Sequence, residues 1–113
     1  MNKNLLKMEC NVGLVHEIIQ GKWKLMILQV LSTETLRFGQ LHRILPNIRQ
    51  GYLTQQLKEL ERDGLVHREV YKQVPPKVEY SLTDIGKTFI PVLKAMEIWG
   101  ATYREQLKEM YPD

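Results

Sequence analysis

The hydrophobic period of this chain changes at a single glycine, Gly64, and that change limits the folds open to it. Before the glycine, residues 48–63 (IRQGYLTQQLKELERD) place Leu53, Leu57 and Leu60 at i, i+4 and i+7, one narrow apolar stripe along a helix. At 100° per residue, Gly51, Gln55, Lys58 and Arg62 lie on the opposite side. Beyond it, residues 65–71 (LVHREVY) shift towards alternation and residues 72–77 (KQVPPK) form a tip. Residues 78–82 (VEYSL) then return with Val78, Tyr80 and Leu82 alternating. A helix running directly into a β-hairpin with a six-residue connection is expected.

The flanking segments read as helices. Residues 14–20 (LVHEIIQ) carry Leu14, Val15, Ile18 and Ile19 at helical spacing, with Asn11 as the expected cap and Gly21 as the terminator. Residues 22–31 (KWKLMILQVL) are apolar on most faces, so Trp23, Met26, Ile27, Val30 and Leu31 predict a central, buried helix. After a polar break at 32–35 and a short extended stretch at 36–38, residues 39–45 (GQLHRIL) form a short helix with Leu41, Ile44 and Leu45 inward. Pro46 and Asn47 stop it. Thr83 can cap a last helix running to about Glu109, with Asp84 in its first turn. Its apolar positions are Ile85, Phe89, Val92, Met96, Trp99, Tyr103, Leu107 and Met110; Pro91 predicts a kink and Gly100 a weak point. The fold class is mainly α with a small β-hairpin.

At 113 residues the chain is expected to be one domain, 1–113, large enough to fold without disulfide or metal. Cys10 is its single cysteine, which excludes an intrachain disulfide and a cysteine-based zinc site. No apolar run reaches the roughly 18 residues of a membrane span, and the first nine residues are too short and polar for a secretory leader. A cytoplasmic location, without membrane partner, is expected. The net charge of +3 suits a nucleic-acid partner without establishing one.

The two helices joined at Pro46-Asn47 read as a helix-turn-helix, and the hairpin after them as a wing. In such a unit the second helix, 48–63, lies in the major groove of double-stranded DNA and its N-terminal residues reach base edges. Gln50 and Gln55 offer a paired donor and acceptor for adenine, and Thr54 can bond a base or meet a thymine methyl. Arg49 and Lys58 can reach guanine or phosphate. No acid occurs from Arg49 to Lys58; Glu59 and Glu61 follow in later turns, expected to point away from DNA. Lys72 and Lys77 flank the tip of the wing, 65–82, as candidate phosphate contacts, with Arg37 and Arg43 added on the same logic. The alternative for all of these is an ordinary solvated surface.

The stretches GKWKLMILQVL, RFGQLHRILPNI, LTQQLKELERDGLVHREVY, VPPKVEYSLTDIG and PVLKAMEIWG resemble the HxlR family of bacterial regulators, relatives of the MarR type. The resemblance runs from Cys10 to Gly100 with order and spacing intact. It implies a winged helix-turn-helix with N- and C-terminal dimerisation helices, bound to a pseudo-palindromic operator. The family commonly has a cysteine followed by proline near its start, and some members use it to sense oxidants or electrophiles; here Cys10 is followed by Asn11. The family's recognition helix often begins with Ser and has Lys or Arg two positions later, where this chain has Arg49 and Gly51, and Tyr52 replaces a smaller apolar residue. The operator is therefore not carried over.

No nucleophile elbow, phosphate loop or dinucleotide-binding glycine pattern is present, and His16, His42 and His67 lie on three different elements without ligand spacing. An enzyme is rejected, and no cofactor or metal is expected. An interaction module for protein or RNA stays open. Trp99, Tyr103, Leu107 and Met110 continue the last helix's apolar pattern beyond what its own core needs, which points to a homodimer interface; the alternative is a helix folded back on its own core. Cys10, just before the first helix, is a candidate redox or electrophile switch, since helix N-termini stabilise negative charge. Lys7 would help and Glu9 oppose it; the alternative is an inert thiol. The operator, the regulated genes, the sign of regulation and any small-molecule effector are open.

Overall fold

The computed structural model describes residues 3–113. A 3-10 turn at Lys3–Lys7 precedes α1 (Asn11–Ile19), α2 (Lys24–Leu31), β1 (Leu36–Arg37), α3 (Phe38–Ile44) and α4 (Gln50–Arg62). There follow β2 (Val66–Tyr71), β3 (Lys77–Leu82), α5 (Asp84–Lys87) and α6 (Ile90–Met110). The architecture is mainly helical, with helix-turn-helix α3–α4 followed by the hairpin. That hairpin is part of a three-stranded antiparallel sheet in the order β1-β3-β2. The short extended stretch is its third strand, pairing Leu36 with Tyr80 and Arg37 with Glu79. The tip is one residue shorter than expected, because Lys77 already pairs with Tyr71.

The core lies where α2, α3, α4 and the sheet converge. Leu53, Leu57 and Leu60 of α4 are buried against Ile27, Leu28 and Leu31 of α2, Leu41 of α3, and Val66, Tyr80 and Leu82 of the sheet. Gly64 allows the abrupt passage from α4 to β2, adopting φ 80° where a side chain would be strained. The α3–α4 turn uses a second left-handed residue, Asn47 at φ 67°, and His42 Nε2 stands 2.9 Å from the Ile48 carbonyl oxygen across that turn.

Several expectations change. Cys10, not Asn11, is the N-cap of α1, its Sγ accepting from the Gly13 N–H at 3.4 Å. Met26 and Ile44 are exposed, and Trp23 and Val30 are only partly buried. In α2 the buried side is Lys24, Ile27, Leu28 and Leu31, so a lysine takes an inward place that the apolar pattern had hidden. At α3 the inward pair is Leu41 and the C-cap residue Leu45, which leaves Ile44 to one side.

The last helix is two helices. α5 is a single turn, capped by Thr83 Oγ1 accepting from Gly86 N–H at 3.0 Å as expected; the chain then turns through Thr88 and Phe89 before α6 begins. Pro91 sits in the first turn of α6, where its missing N–H leaves no bond unmade. It cannot follow Lys87 in a continuous helix, because its ring would meet that carbonyl. The expected kink is thus a helix start, and Ile85 is left exposed on α5. Phe89 is buried at the junction, while α6 continues unbroken through Gly100.

Candidate nucleic-acid interface

α4 presents two different sides. Leu53, Gln56, Leu57 and Leu60 are buried, and Gly51, Tyr52, Gln55, Lys58 and Glu61 are exposed. Its first turn contains no acid, so the positive end of the helix dipole is uncompensated there. Arg49 is the N-cap residue, with its side chain exposed and making no capping bond. Gln50 is exposed, and its carbonyl accepts from Thr54 Oγ1 at 3.0 Å. Thr54 is therefore partly committed to its own helix.

Gln55 is also engaged. Its Nε2 donates to Glu59 Oε2 at 3.1 Å, while Lys24 Nζ donates to Glu59 Oε1 at 2.6 Å. Lys24 is 3% exposed, so this ion pair ties α2 to α4 from inside the body. The Lys24 hydrogen bond, opposed by partial burial and aided by the Lys24 charge, holds the Glu59 carboxyl below its usual range. Glu59 therefore does turn inward. Glu61 does not: it is exposed and lines a cleft.

That cleft, of about 300 Å³, lies between α4 and the sheet and is lined by Thr54, Leu57, Lys58, Glu61, Arg68 and Tyr80. Arg68 escaped the sequence reading. The signal that could have found it is the strand alternation: Arg68 is opposite Tyr80, and thus shares the sheet face that bears Tyr80 and packs on α4. Of the expected contacts, the structure gathers Thr54 and Lys58 here. Arg37 stands apart on β1, Arg43 on α3 and Lys72 after β2, all exposed.

Among the described residues, Arg37, Arg43, Arg49, Lys58, Arg68 and Lys72 form no ion pair. Lys87, Lys94 and Arg104 form none either, so the missing counter-charge does not alone mark a binding surface. Lys77 differs from the others. Its Nζ lies 3.5 Å from Glu79 Oε2 and 4.7 Å from the Tyr71 ring centroid, which makes it a brace of the wing's base. The same Glu79 raises the Tyr71 phenol above its usual range by accepting its hydrogen bond.

α6 has no buried residue over its 21 positions. Trp99 is 66% exposed, Tyr103 49% and Met110 57%, with Leu107 partly buried; Trp99 and Tyr103 stack with centroids 5.3 Å apart. At the other end, Cys10 is an exposed free thiol. No group of three or more His, Cys, Asp or Glu that could hold a metal occurs among the described residues.

A family model described as HxlR-like helix-turn-helix matches residues 18–108. YdeP of Bacillus subtilis, an HTH-type transcriptional regulator, is 50% identical over 101 residues, covering 89% of this chain and 79% of YdeP. Among solved structures, the redox regulator HypR in its reduced form superposes with TM-score 0.84 and 48% identity, covering 90% of this chain and 100% of that one. Its oxidised form superposes at 0.77 with 49% identity, covering 82% and 96%. The reduced form of the transcriptional regulator YodB from B. subtilis superposes at 0.73 with 32% identity, covering 81% and 91%.

Proposed function

The chain belongs to the HxlR-like helix-turn-helix family of transcriptional regulators, and we propose that it acts as a homodimer that binds a pseudo-palindromic operator in the cytoplasm. One observation carries this reading: the outward side of the leading half of α4, with Arg49, Gln50 and Gln55, is exposed and free of acids, and it adjoins a cleft that adds Arg68 to Lys58. Arg49, Gln50, Thr54 and Gln55 then face base edges, while Lys58, Arg68, Arg37, Arg43 and Lys72 meet phosphates. Lys77 acts mainly by holding the wing's shape. No catalytic role, metal or cofactor enters the reading, and no described helix is long and apolar enough to cross a membrane.

The second copy docks through α6, whose exposed Trp99, Tyr103 and Met110, with Leu107, have no cover in one chain. α1, also without a buried residue, contributes at the other end. Pairing there sets the two α4 helices about one DNA turn apart, roughly 34 Å. The test is a salt-dependent gel shift with the intergenic DNA beside the coding sequence. Binding about a thousandfold tighter than to random duplex, weakening steeply with salt, is expected. Little binding to either duplex would instead favour a protein-interaction module.

Cys10 gives this regulator a redox or electrophile input. The support is its exposure at the cap of α1, together with the likeness to HypR, whose name and two forms are those of a redox regulator. With no second cysteine in the chain, the products are a Cys10–Cys10 bond between subunits, a mixed disulfide or a sulfenic acid. The intersubunit bond needs Cα atoms within about 7 Å across the dimer axis. Cys10→Ser keeps a capping oxygen while removing the thiol. Diamide should change operator binding by wild type and leave that variant unaffected. Modified Cys10 with unchanged binding would remove the switch.

A further inference from the structure

A glutamine on a recognition helix is ambiguous, because its amide presents either a donor or an acceptor depending on which way it is turned. The surroundings of Gln55 remove that ambiguity. Its partner, Glu59, is a carboxylate and can only accept. Turning the Gln55 oxygen towards Glu59 would oppose two acceptors, so Nε2 is the atom that faces inward, at 3.1 Å. Glu59 is itself pinned. Its other oxygen takes the hydrogen bond of Lys24, whose side chain is 3% exposed and whose helix, α2, belongs to the core. Among the described residues, Gln55 Oε1 accepts from no protein donor, and the side chain is exposed.

We propose that Glu59, anchored by Lys24, is a positioning residue for base selection: it fixes the Gln55 amide so that Oε1 and the second Nε2 hydrogen are what the major groove meets. This rests on the DNA-binding reading and specifies what that reading leaves open. Adenine satisfies such an edge completely, giving N6–H to Oε1 and taking Nε2–H at N7. Cytosine satisfies Oε1 alone through N4–H. In the same register guanine can take Nε2–H at N7 but sets its O6 against Oε1, and thymine sets O4 against Oε1, so each adds an acceptor–acceptor repulsion that cytosine lacks. The ranking is adenine, then cytosine, then guanine and thymine. Glu59 never touches DNA in this arrangement. Its influence passes through one hydrogen bond, and the buried lysine keeps the carboxylate from swinging outward, where it would repel phosphate.

The probe is a library of random-sequence duplexes, selected on the full-length protein and sequenced. Wild type is expected to enrich a motif with one adenine per half-site, favoured about tenfold or more over guanine, and Gln55→Ala should lose preference at that base pair alone. Glu59→Gln keeps the size and an oxygen for Lys24 but lets the amide turn. Adenine and guanine should then come within about threefold of each other, with the rest of the motif intact. Removing an acidic charge raises affinity for every duplex alike, so the base ranking, not affinity, is the readout. An unchanged ranking in Glu59→Gln overturns the positioning role. If that variant does not fold, the wild-type motif still decides: a Gln55-dependent base that is guanine or thymine, or no Gln55-dependent base within a clear motif, overturns it. Absence of any motif or duplex binding by wild type fails the DNA-binding reading itself, and this inference with it.

Discussion

α4 and α6 are both amphipathic helices, yet the chain treats them in opposite ways. α4 has 13 residues, four of them buried, and its stripe at Leu53, Leu57 and Leu60 is covered on every side by α2, α3 and the sheet. α6 has 21 residues and buries none; only Ile90 and Leu93, beside the anchor Phe89, pack on the core. Beyond them its apolar side chains, half-buried Leu107 apart, stand in the open. A helix covered by its own chain is fixed by folding, whereas one left bare keeps its apolar surface open to something else. The difference separates the helix proposed to face DNA, which its own chain holds rigidly, from the helix that leaves apolar surface uncovered.

The sharpest way to break this contrast is to truncate each helix in turn. Leu57→Ala should cost about 2–5 kcal/mol by opening a cavity, seen as a lower denaturant midpoint at any protein concentration. Ile98→Ala, at a residue 70% exposed, should cost far less in one chain and show its effect only in self-association. Equal, concentration-independent losses would mean that α6 is held by its own body.

Next in size is the effect on the proposed dimer. Trp99→Arg or Leu107→Arg places a charge in the uncovered face of α6 and should weaken self-association at least tenfold, roughly 1.4 kcal/mol, by sedimentation. If the dimer is obligate, the variants unfold instead. A wild-type chain that sediments as a monomer at micromolar concentration would remove the partner from the comparison.

On the α4 side, Lys58→Ala and Arg68→Ala should each weaken specific and random DNA alike and flatten the salt slope by about one unit. Gln55→Ala should instead cost about 1–3 kcal/mol on the operator only. A loss at Arg68 confined to the operator would move that arginine from phosphate to base contact.

The smallest effect is a pH dependence. Glu59 is held below its ordinary value of 4.5, chiefly by the Lys24 hydrogen bond. The Lys24–Glu59 contribution to stability is therefore complete above that value and is lost as pH falls through the lower folded-state value. Stability should be flat from neutrality to about pH 5 in this respect and decline below about 4.5; Glu59→Gln should flatten that acid limb. An identical acid limb in both proteins would show that α4 is tied to α2 by apolar packing alone.

Much of this arrangement was legible in the residues. The stripe on α4, the turn at Pro46-Asn47, the hairpin after Gly64 and the Thr83 cap all rest on local rules, in which a residue and its near neighbours suffice. Legible too was the outward placing of Arg49, Gln50, Gln55 and Lys58 on a helix with no acid in its first turn, whereas Thr54 is half-buried and bonded to its own helix. Arg68 was less visible, because it gains meaning only when the sheet packs on α4.

The sequence by itself determined the order of elements as far as the hairpin, the helix-turn-helix and the wing, because periodicity, caps and turns act over a few residues. Tertiary structure alone decided the rest. It set Lys24 inward, since the Glu59 carboxylate 35 positions away offsets the cost of burying that ammonium. It turned Lys77 towards Glu79 and Tyr71, and it divided the last helix at Phe89, where burial of the ring ends one helix and Pro91 starts the next. The Lys24–Glu59 pair, the Lys77–Tyr71 contact across the hairpin and the burial of Phe89 each depend on which groups the fold brings together, and the free energy of such a meeting is set by burial and charge, not by spacing along the chain.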